Sequence, residues 1–384
     1  VRKIIVAISV LSLLTLGVFF FAVPSMVERS ANRVVAVAPS NIASETLHRR
    51  LLVADLHADS LLWERDLLTR SAQGHVDIPR LIEGHVALQA FTLVTKAPRN
   101  LNIERNAGDT DNITLLAMAQ RWPWAAIRSL KERALFQAKK LHEIQQRSAG
   151  KLTIIKSAAD LESYLNRREQ TSDITAGFLG VEGMHCLEGN PDNVDVMFNA
   201  GIRMMAPTHF FDTEIGGSAH GINKGGLTDM GREVIRRMEA KRMLVDLAHA
   251  SSKTIDDVLA MATRPVVVSH TGVRGTCDNQ RNLSDDQLRR IASTGGVIGI
   301  GFWDTATCGN DAQAIARAIH HAANVAGVER VGLGSDFDGA VTTPFDVSRI
   351  GLVTDALVKE GFNEHDIRLI MGGNVIRLLK ATLP

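Results

Sequence analysis

Short runs of branched and apolar residues recur along the chain, separated by polar stretches long enough to form a helix. The runs are LLVADLHA from Leu51, VALQAFTLV over Val86–Val94, AGFLGV over Ala176–Val181 and GIRMMA over Gly201–Ala206. Further on come LVDL over Leu244–Leu247, VVV over Val266–Val268, VIGIGF over Val297–Phe302 and VGLG over Val331–Gly334. Their length and β-branched content mark them as strands. Helix-length connections between successive strands predict parallel pairing through crossover helices. Eight strand–helix units in about 330 residues predict an α/β fold, a TIM-type (β/α)8 barrel. The second and third strands are separated by a longer polar tract from Asn100 to Leu165, which predicts a helical insertion there. In it Ile127, Leu130, Ala134, Ala138 and Leu141 keep a helical spacing. Arg128, Lys131, Arg133, Lys139 and Lys140 then read as a solvated helix face. Trp122 and Trp124 read as residues that pack the insertion onto the barrel.

The first residues follow another pattern. Behind Arg2 and Lys3, Ile4 to Val23 (IIVAISVLSLLTLGVFFFAV) holds no charge. At about 1.5 Å per residue, such a helix crosses a hydrocarbon core of about 30 Å. A secretory signal has a shorter apolar stretch with a small-residue cleavage motif close behind it. Here the nearest such motif, Ala36 to Ala38, lies well past the apolar run. The pattern therefore favours an uncleaved transmembrane signal anchor over residues 1–30, a linker over 31–46 and the barrel over 47–384. Arg2 and Lys3 would stay cytoplasmic, which places the folded part outside a bacterial-type inner membrane. A cleaved signal and secretion is the alternative. At the other end, KATLP is too short and polar for a lipid-anchor signal.

Composition narrows the function classes. The chain has 384 residues, is 45% hydrophobic and 22% charged, and carries a net charge of +1. That balance supplies no basic field for nucleic acid. A single tyrosine argues against an aromatic binding platform.

Chemistry gathers at the strand ends. His57 and Asp59 follow the first strand, two residues apart and so on one side of an extended chain. Glu182 ends the third strand, His209 follows the fourth, and His249 and His270 follow the fifth and sixth. Asp336 follows the eighth. Strand ends of a parallel barrel share its catalytic face. A catalytic zinc takes three protein ligands. This larger set suits two metals sharing a carboxylate, about 3.5–4 Å apart, able to activate water and polarise a carbonyl.

The motifs LVDLAHAS, PVVVSHTG with RNLSDD downstream, GVEGMHCL, HAD, GLTDMG and VGLGSDFDG closely resemble the renal (membrane) dipeptidase family, the M19 metallopeptidases of the amidohydrolase superfamily. The resemblance runs from about Leu51 to the C-terminus, through GGNVIRLL. It implies that His57 and Asp59 hold one zinc and that His249 and His270 hold a second. Glu182 and a water or hydroxide would bridge the two ions. It implies that Asp336 is the acid/base, that His209 stabilises the developing oxyanion, and that Arg281 binds the free C-terminal carboxylate of a dipeptide. It also implies a disulfide between Cys277 and Cys308, which export permits. Cys186 would be left free and buried. The family often dimerises, so a homodimer is the implied assembly. Without the resemblance, Arg281 and Asp336 read as a salt-bridge partner and a strand-end cap.

Asp338 is a second carboxylate in DFD; on an extended backbone it would face as Asp336 does, in a supporting role. His185 reads as a neighbour of the ligand set, while His75, His85, His142, His220, His320, His321 and His365 show no partner pattern. The chain departs from the family at Ala58, which is not a ligand. It also departs at Phe210, Phe211 and Asp212, expected to line the substrate pocket. The resulting expectation is zinc-dependent hydrolysis of dipeptides with a free C-terminal carboxylate, with a D-configured second residue tolerated. Another dinuclear amidohydrolase acting on a different amide or lactone is the alternative. A non-catalytic anchored binding protein is disfavoured by the intact ligand set and Asp336.

Overall fold

The computed structural model describes residues 2–35, 43–309 and 311–384. The Ala36–Ala38 motif and the middle of the stretch read as a linker, residues 36–42, lie outside the described residues.

A curled parallel sheet forms the centre. Its strands are β1 (Val53–Ala58), β2 (Val86–Val94), β3 (Thr175–Glu182), β4 (Ile202–Met205), β5 (Leu244–Val245), β6 (Val267–Thr271), β7 (Val297–Ile300) and β8 (Val331–Leu333). They pair in the order β5-β4-β3-β2-β1-β8-β7-β6. A bridge between Asp246 and Val267 joins the two ends of that path, with Leu247 N–H donating to Val267 O at 2.8 Å. A further strand, Leu152–Ile154, pairs outside this order with β3. Its three residues are too short to register in the hydrophobic pattern. Every residue of β2 and β3 is buried, as expected of a parallel sheet covered on both faces. Alternate residues feed two apolar clusters: Val268 and Ile298 pack into one, Val267 and Val297 into the other, the latter with Val375, Leu378 and Leu379 of the last helix.

The insertion after β2 is helical, but it is not one continuous helix. It comprises Ile113–Ala119, Trp124–Arg128 and Leu130–Arg147. Ser129 breaks the spacing because its hydroxyl caps the last helix, accepting from Glu132 N–H. Trp122 is buried and its ring lies 4.9 Å from that of Phe136, whereas Trp124 is 65% exposed and packs nothing onto the barrel. Two cations of the supposed solvated face are also internal. Arg133 donates to Ala126 O, Asp111 and Thr114. Lys140 donates to the carbonyls of Leu61 and Trp63, at 2.7 Å each.

At the N-terminus, α1 (Arg2–Phe21) buries none of its side chains and is long and apolar enough to cross a membrane. It runs into α2 (Val23–Ala31), which docks on the sheet domain. Arg33 and Val34 then pair in parallel with Thr342 and Thr343.

Candidate metal centre

The C-terminal ends of the strands bring the predicted residues together. His57 and Asp59 leave β1, Glu182 ends β3, and His270 lies in β6. His209, His249 and Asp336 lie in the loops beyond β4, β5 and β8. All seven are buried.

One carboxylate oxygen is the centre of the group. Glu182 Oε1 lies 2.9 Å from His249 Nε2, 3.4 Å from His270 Nε2 and 3.7 Å from His57 Nε2. Glu182 Oε2 lies 3.1 Å from His209 Nε2. His57 Nε2 is 3.5 Å from Asp59 and 3.9 Å from Asp336. Three overlapping triads therefore offer donor atoms within 4.8 Å of one another: His57, Glu182 and His270; Glu182, His209 and His249; His57, Asp59 and Asp336.

The residues fit a metal. His57 Nε2 is buried among carboxylates and makes no hydrogen bond among the described residues. Burial drives the imidazoles of His209, His249 and His270 well below their ordinary pKa, so each offers a neutral lone pair. Burial also raises Glu182, with Asp59 and Asp336 adding to the rise, and it raises Asp336. At His57 burial disfavours the cation, but Asp59, Glu182 and Asp336 outweigh it and lift the pKa. Such a carboxylate excess is what a bound divalent cation neutralises.

Neighbouring groups orient the donors. Ser269 Oγ lies 3.0 Å from Nδ1 of both His57 and His270, and Thr92 Oγ1 donates to Asp59 at 2.5 Å. Asp246 accepts from the N–H groups of Ala248 and Ser269. Asp55 accepts from Ser335 and Gln89 beneath the site. Sequence reading missed these supports, although LVDLAH and ADLHAD display Asp246 and Asp55 three and two residues ahead of a histidine.

Arg281 is buried beside the group; its Nη2 donates to His270 O at 2.9 Å and its guanidinium lies 5.9 Å from the Trp303 ring centre. Burial lowers its pKa to about 10, which leaves it cationic. The disulfide Cys277–Cys308 ties the Arg281 loop to the Trp303 loop, and Cys186 is free and buried. His185 stays outside the triads, with Nε2 2.8 Å from Thr95 Oγ1. Phe210 lines the pocket, but Phe211 turns away onto His185, and Asp212 accepts from Ser218 and Asn223 N–H groups. His220, which showed no pattern in sequence, lines the pocket against Phe210 and His249.

Asp338 corrects an expectation. Asp336 and Asp338 have φ of 61° and 63°, so the backbone is not extended and the two side chains diverge. Asp338 instead accepts from Ser60 Oγ at 2.6 Å and pairs with Arg65.

The sequence pattern of the membrane dipeptidase family, peptidase family M19, matches residues 42–383. The chain belongs to that family. This M19 chain is 30% identical over 249 residues to the dipeptidase verJ of Clonostachys rogersoniana, a match covering 62% of each protein. It is 28% identical over 322 residues to an uncharacterised dipeptidase of Schizosaccharomyces pombe, covering 80% of this chain and 73% of that one. Among solved structures, it superposes with a TM-score of 0.72 on a metallopeptidase of Rhodobacter sphaeroides bound to a phosphinate mimic of L-Ala-D-Ala. The identity is 23%, over 86% of this chain and 99% of that one. The probable dipeptidase PvdM of Pseudomonas aeruginosa gives a TM-score of 0.73 at 18% identity, over 88% and 97%. At these identities the two structures establish the fold.

Proposed function

We propose that this M19 chain is a metal-dependent dipeptidase that cleaves dipeptides with a free C-terminal carboxylate, on a TIM-type barrel exported behind an N-terminal membrane anchor. The observation that carries the reading is Glu182 Oε1, which faces His249, His270 and His57 while Arg281 stands on the same pocket. His57 with Asp59 would hold one zinc and His249 with His270 a second, with Glu182 between them. Bound metal supplies Lewis acidity and an activated water.

The chain's own groups do the rest. Arg281 presents a planar cation that pairs with the substrate carboxylate and sets which amide faces the cluster. Asp336, whose carboxyl is raised by burial, keeps a proton near neutrality and passes it to the leaving amine. His209, whose Nε2 lies 3.1 Å from Glu182 Oε2, supplies an N–H from its ring to the oxygen on which charge develops. A D-configured second residue belongs to the proposed substrate class. Action on another amide or a lactone is the second reading, favoured by a cavity of about 640 Å³, larger than two small residues fill.

The test is hydrolysis of L,L and L,D dipeptides and their C-terminal amides by the full chain in detergent, after chelation and after zinc is restored. Zinc-restored cleavage of free acids but not amides is expected. A metal-loaded chain that cleaves no dipeptide refutes the reading.

A further inference from the structure

The pocket above the metal cluster is not closed by the sheet domain alone. Phe19 of α1 and Val23, Val27 and Ala31 of α2 line the same cavity as Glu182, Arg281 and Asp336. These four residues recur every four positions, so they form one stripe along the helical face turned to the cavity. Ala31 also packs on the apolar cluster that holds Leu62 and Trp63, next to Asp59 in the chain.

The stripe is held in place by polar contacts on the rest of α2 and just beyond it. Glu28 is buried and accepts from Arg65 Nε at 2.5 Å, and Arg65 in turn pairs with Asp338. Ser25 and Gln73 exchange hydrogen bonds at 3.2 and 3.0 Å. Asn32 Oδ1 accepts from Ala340 N–H at 2.9 Å, and Arg33–Val34 pairs with Thr342–Thr343. A helix that buries a carboxylate against an arginine is a built part of the domain, since an unpaired buried charge would be strongly destabilising. The stretch read in the sequence as the anchor and the start of the linker thus includes part of the pocket.

Arg281 and Trp303 stand at the β6 and β7 ends, while Leu62 and Trp63 follow β1, with β8 between the two sides in the sheet. A substrate clamped by its carboxylate at Arg281 therefore directs its amino-terminal residue across the cluster to the wall that α1 and α2 complete. We propose that α1 and α2 form the apolar wall of the substrate pocket and that the preferred substrates are dipeptides whose amino-terminal residue is large and apolar. The proposal rests on the dipeptidase reading above.

The test uses the zinc-loaded full chain in detergent and reads the ratio of kcat/KM for Phe-Ala to that for Gly-Ala. The ratio should exceed about tenfold in the wild type, in the range that apolar pockets discriminate. Val23→Ser combined with Val27→Ser should lower it at least about fivefold by making the wall polar. Val27→Trp, at a position 40% exposed and so tolerant of size, should lower it by filling the space. Glu28→Ala, at a side chain that does not line the cavity, releases the helix and should move the ratio in the same direction. Cleavage of both dipeptides with a ratio unchanged in these variants overturns the wall and leaves the dipeptidase reading standing. If the wild type cleaves neither dipeptide, the dipeptidase reading falls, and calorimetry decides the wall. Tighter binding of N-phenylacetylglycine than N-acetylglycine, lost in the double variant, sustains it; equal affinities overturn it.

Discussion

Ser269→Ala should strip metal from the site without touching a ligand. A hydroxyl offers one donor and two acceptor lone pairs, and Ser269 Oγ sits 3.0 Å from Nδ1 of both His57 and His270. For both Nε2 lone pairs to face the cluster, both Nδ1 atoms must carry the proton and donate to that one oxygen. The alanine variant leaves two buried N–H groups without an acceptor, at about 1–3 kcal/mol each. If either ring instead moves its proton to Nε2, that nitrogen can no longer ligate, so the loss falls on metal affinity in both cases. Taking the low end of the summed range, about 2–3 kcal/mol, gives a loss of about 30- to 150-fold, in line with the usual effect of removing a ligand's orienting partner. The assay is competition for zinc against a chromogenic chelator, with the metal-free thermal transition as a control on folding. Affinity within about threefold of wild type would show that Ser269 does not set the two tautomers.

Four further outcomes follow from the geometry. Arg281→Ala should lower kcat/KM on free-acid dipeptides by about 30- to 1000-fold, the cost of leaving a buried charge unpaired, while amidated substrates change little; equal losses on both would remove the carboxylate clamp. Asp336→Asn should lower kcat by about 100-fold or more while metal content, measured by mass spectrometry, stays unchanged; loss of metal would make Asp336 a ligand instead. Burial depresses His48 and His75, and brings His185 and His220 to about 3 from 6.5, so between these values the unfolded chain binds more protons than the folded one. Stability present above pH 6.5 is lost as the pH falls, and the urea midpoint should drop between pH 7.5 and 5; a rise would contradict the burial of these rings. Replacing Cys277 and Cys308 by serine opens a loop of sequence separation 31, costs about 3–4 kcal/mol by chain entropy and should raise KM through the Arg281 loop; an unchanged denaturation midpoint would count against it.

The centre was legible because its residues obey a positional rule. Polar side chains gathered at strand ends show in sequence as an apolar run followed by His, Asp or Glu, and His57, Glu182, His249 and His270 all do. The supports were hidden because their roles depend on long-range partners. Ser269 is only the residue before His270 until the curl of the sheet brings the end of β6 within reach of His57 at the end of β1. Arg133 reads as one more surface cation until the Asp111 and Ala126 segments fold over it. His220 lies in a loop with no periodicity, and only the approach of Phe210 and His249 brings it to the pocket. The docking of α2 on the sheet domain was hidden for the same reason. Apolar length marks α1 as a membrane helix, but nothing local in VPSMVERSA shows that Glu28 meets Arg65, 37 residues away.

The DFDG loop ties the N-terminal helices to the residues of the cluster. Asp336, Asp338 and Ala340 all occupy the left-handed region, with φ of 61°, 63° and 59°. For residues with a Cβ this costs about 1 kcal/mol or more each. Gly339 is required there, since a Cβ would lie 2.0 Å from Asp336 Oδ1. The contacts of Asp338 hold the conformation: Ser60 Oγ, the His75 N–H at 2.5 Å and the Arg65 guanidinium. Arg65 draws its pKa below the usual carboxylate range against the effect of burial, so Asp338 stays ionised. That ion pair is shared, because Arg65 also holds Glu28 of α2. Loosening α2 therefore weakens the same contacts that hold Asp336 over the cluster. One guanidinium thus links α2 to the loop that carries Asp336.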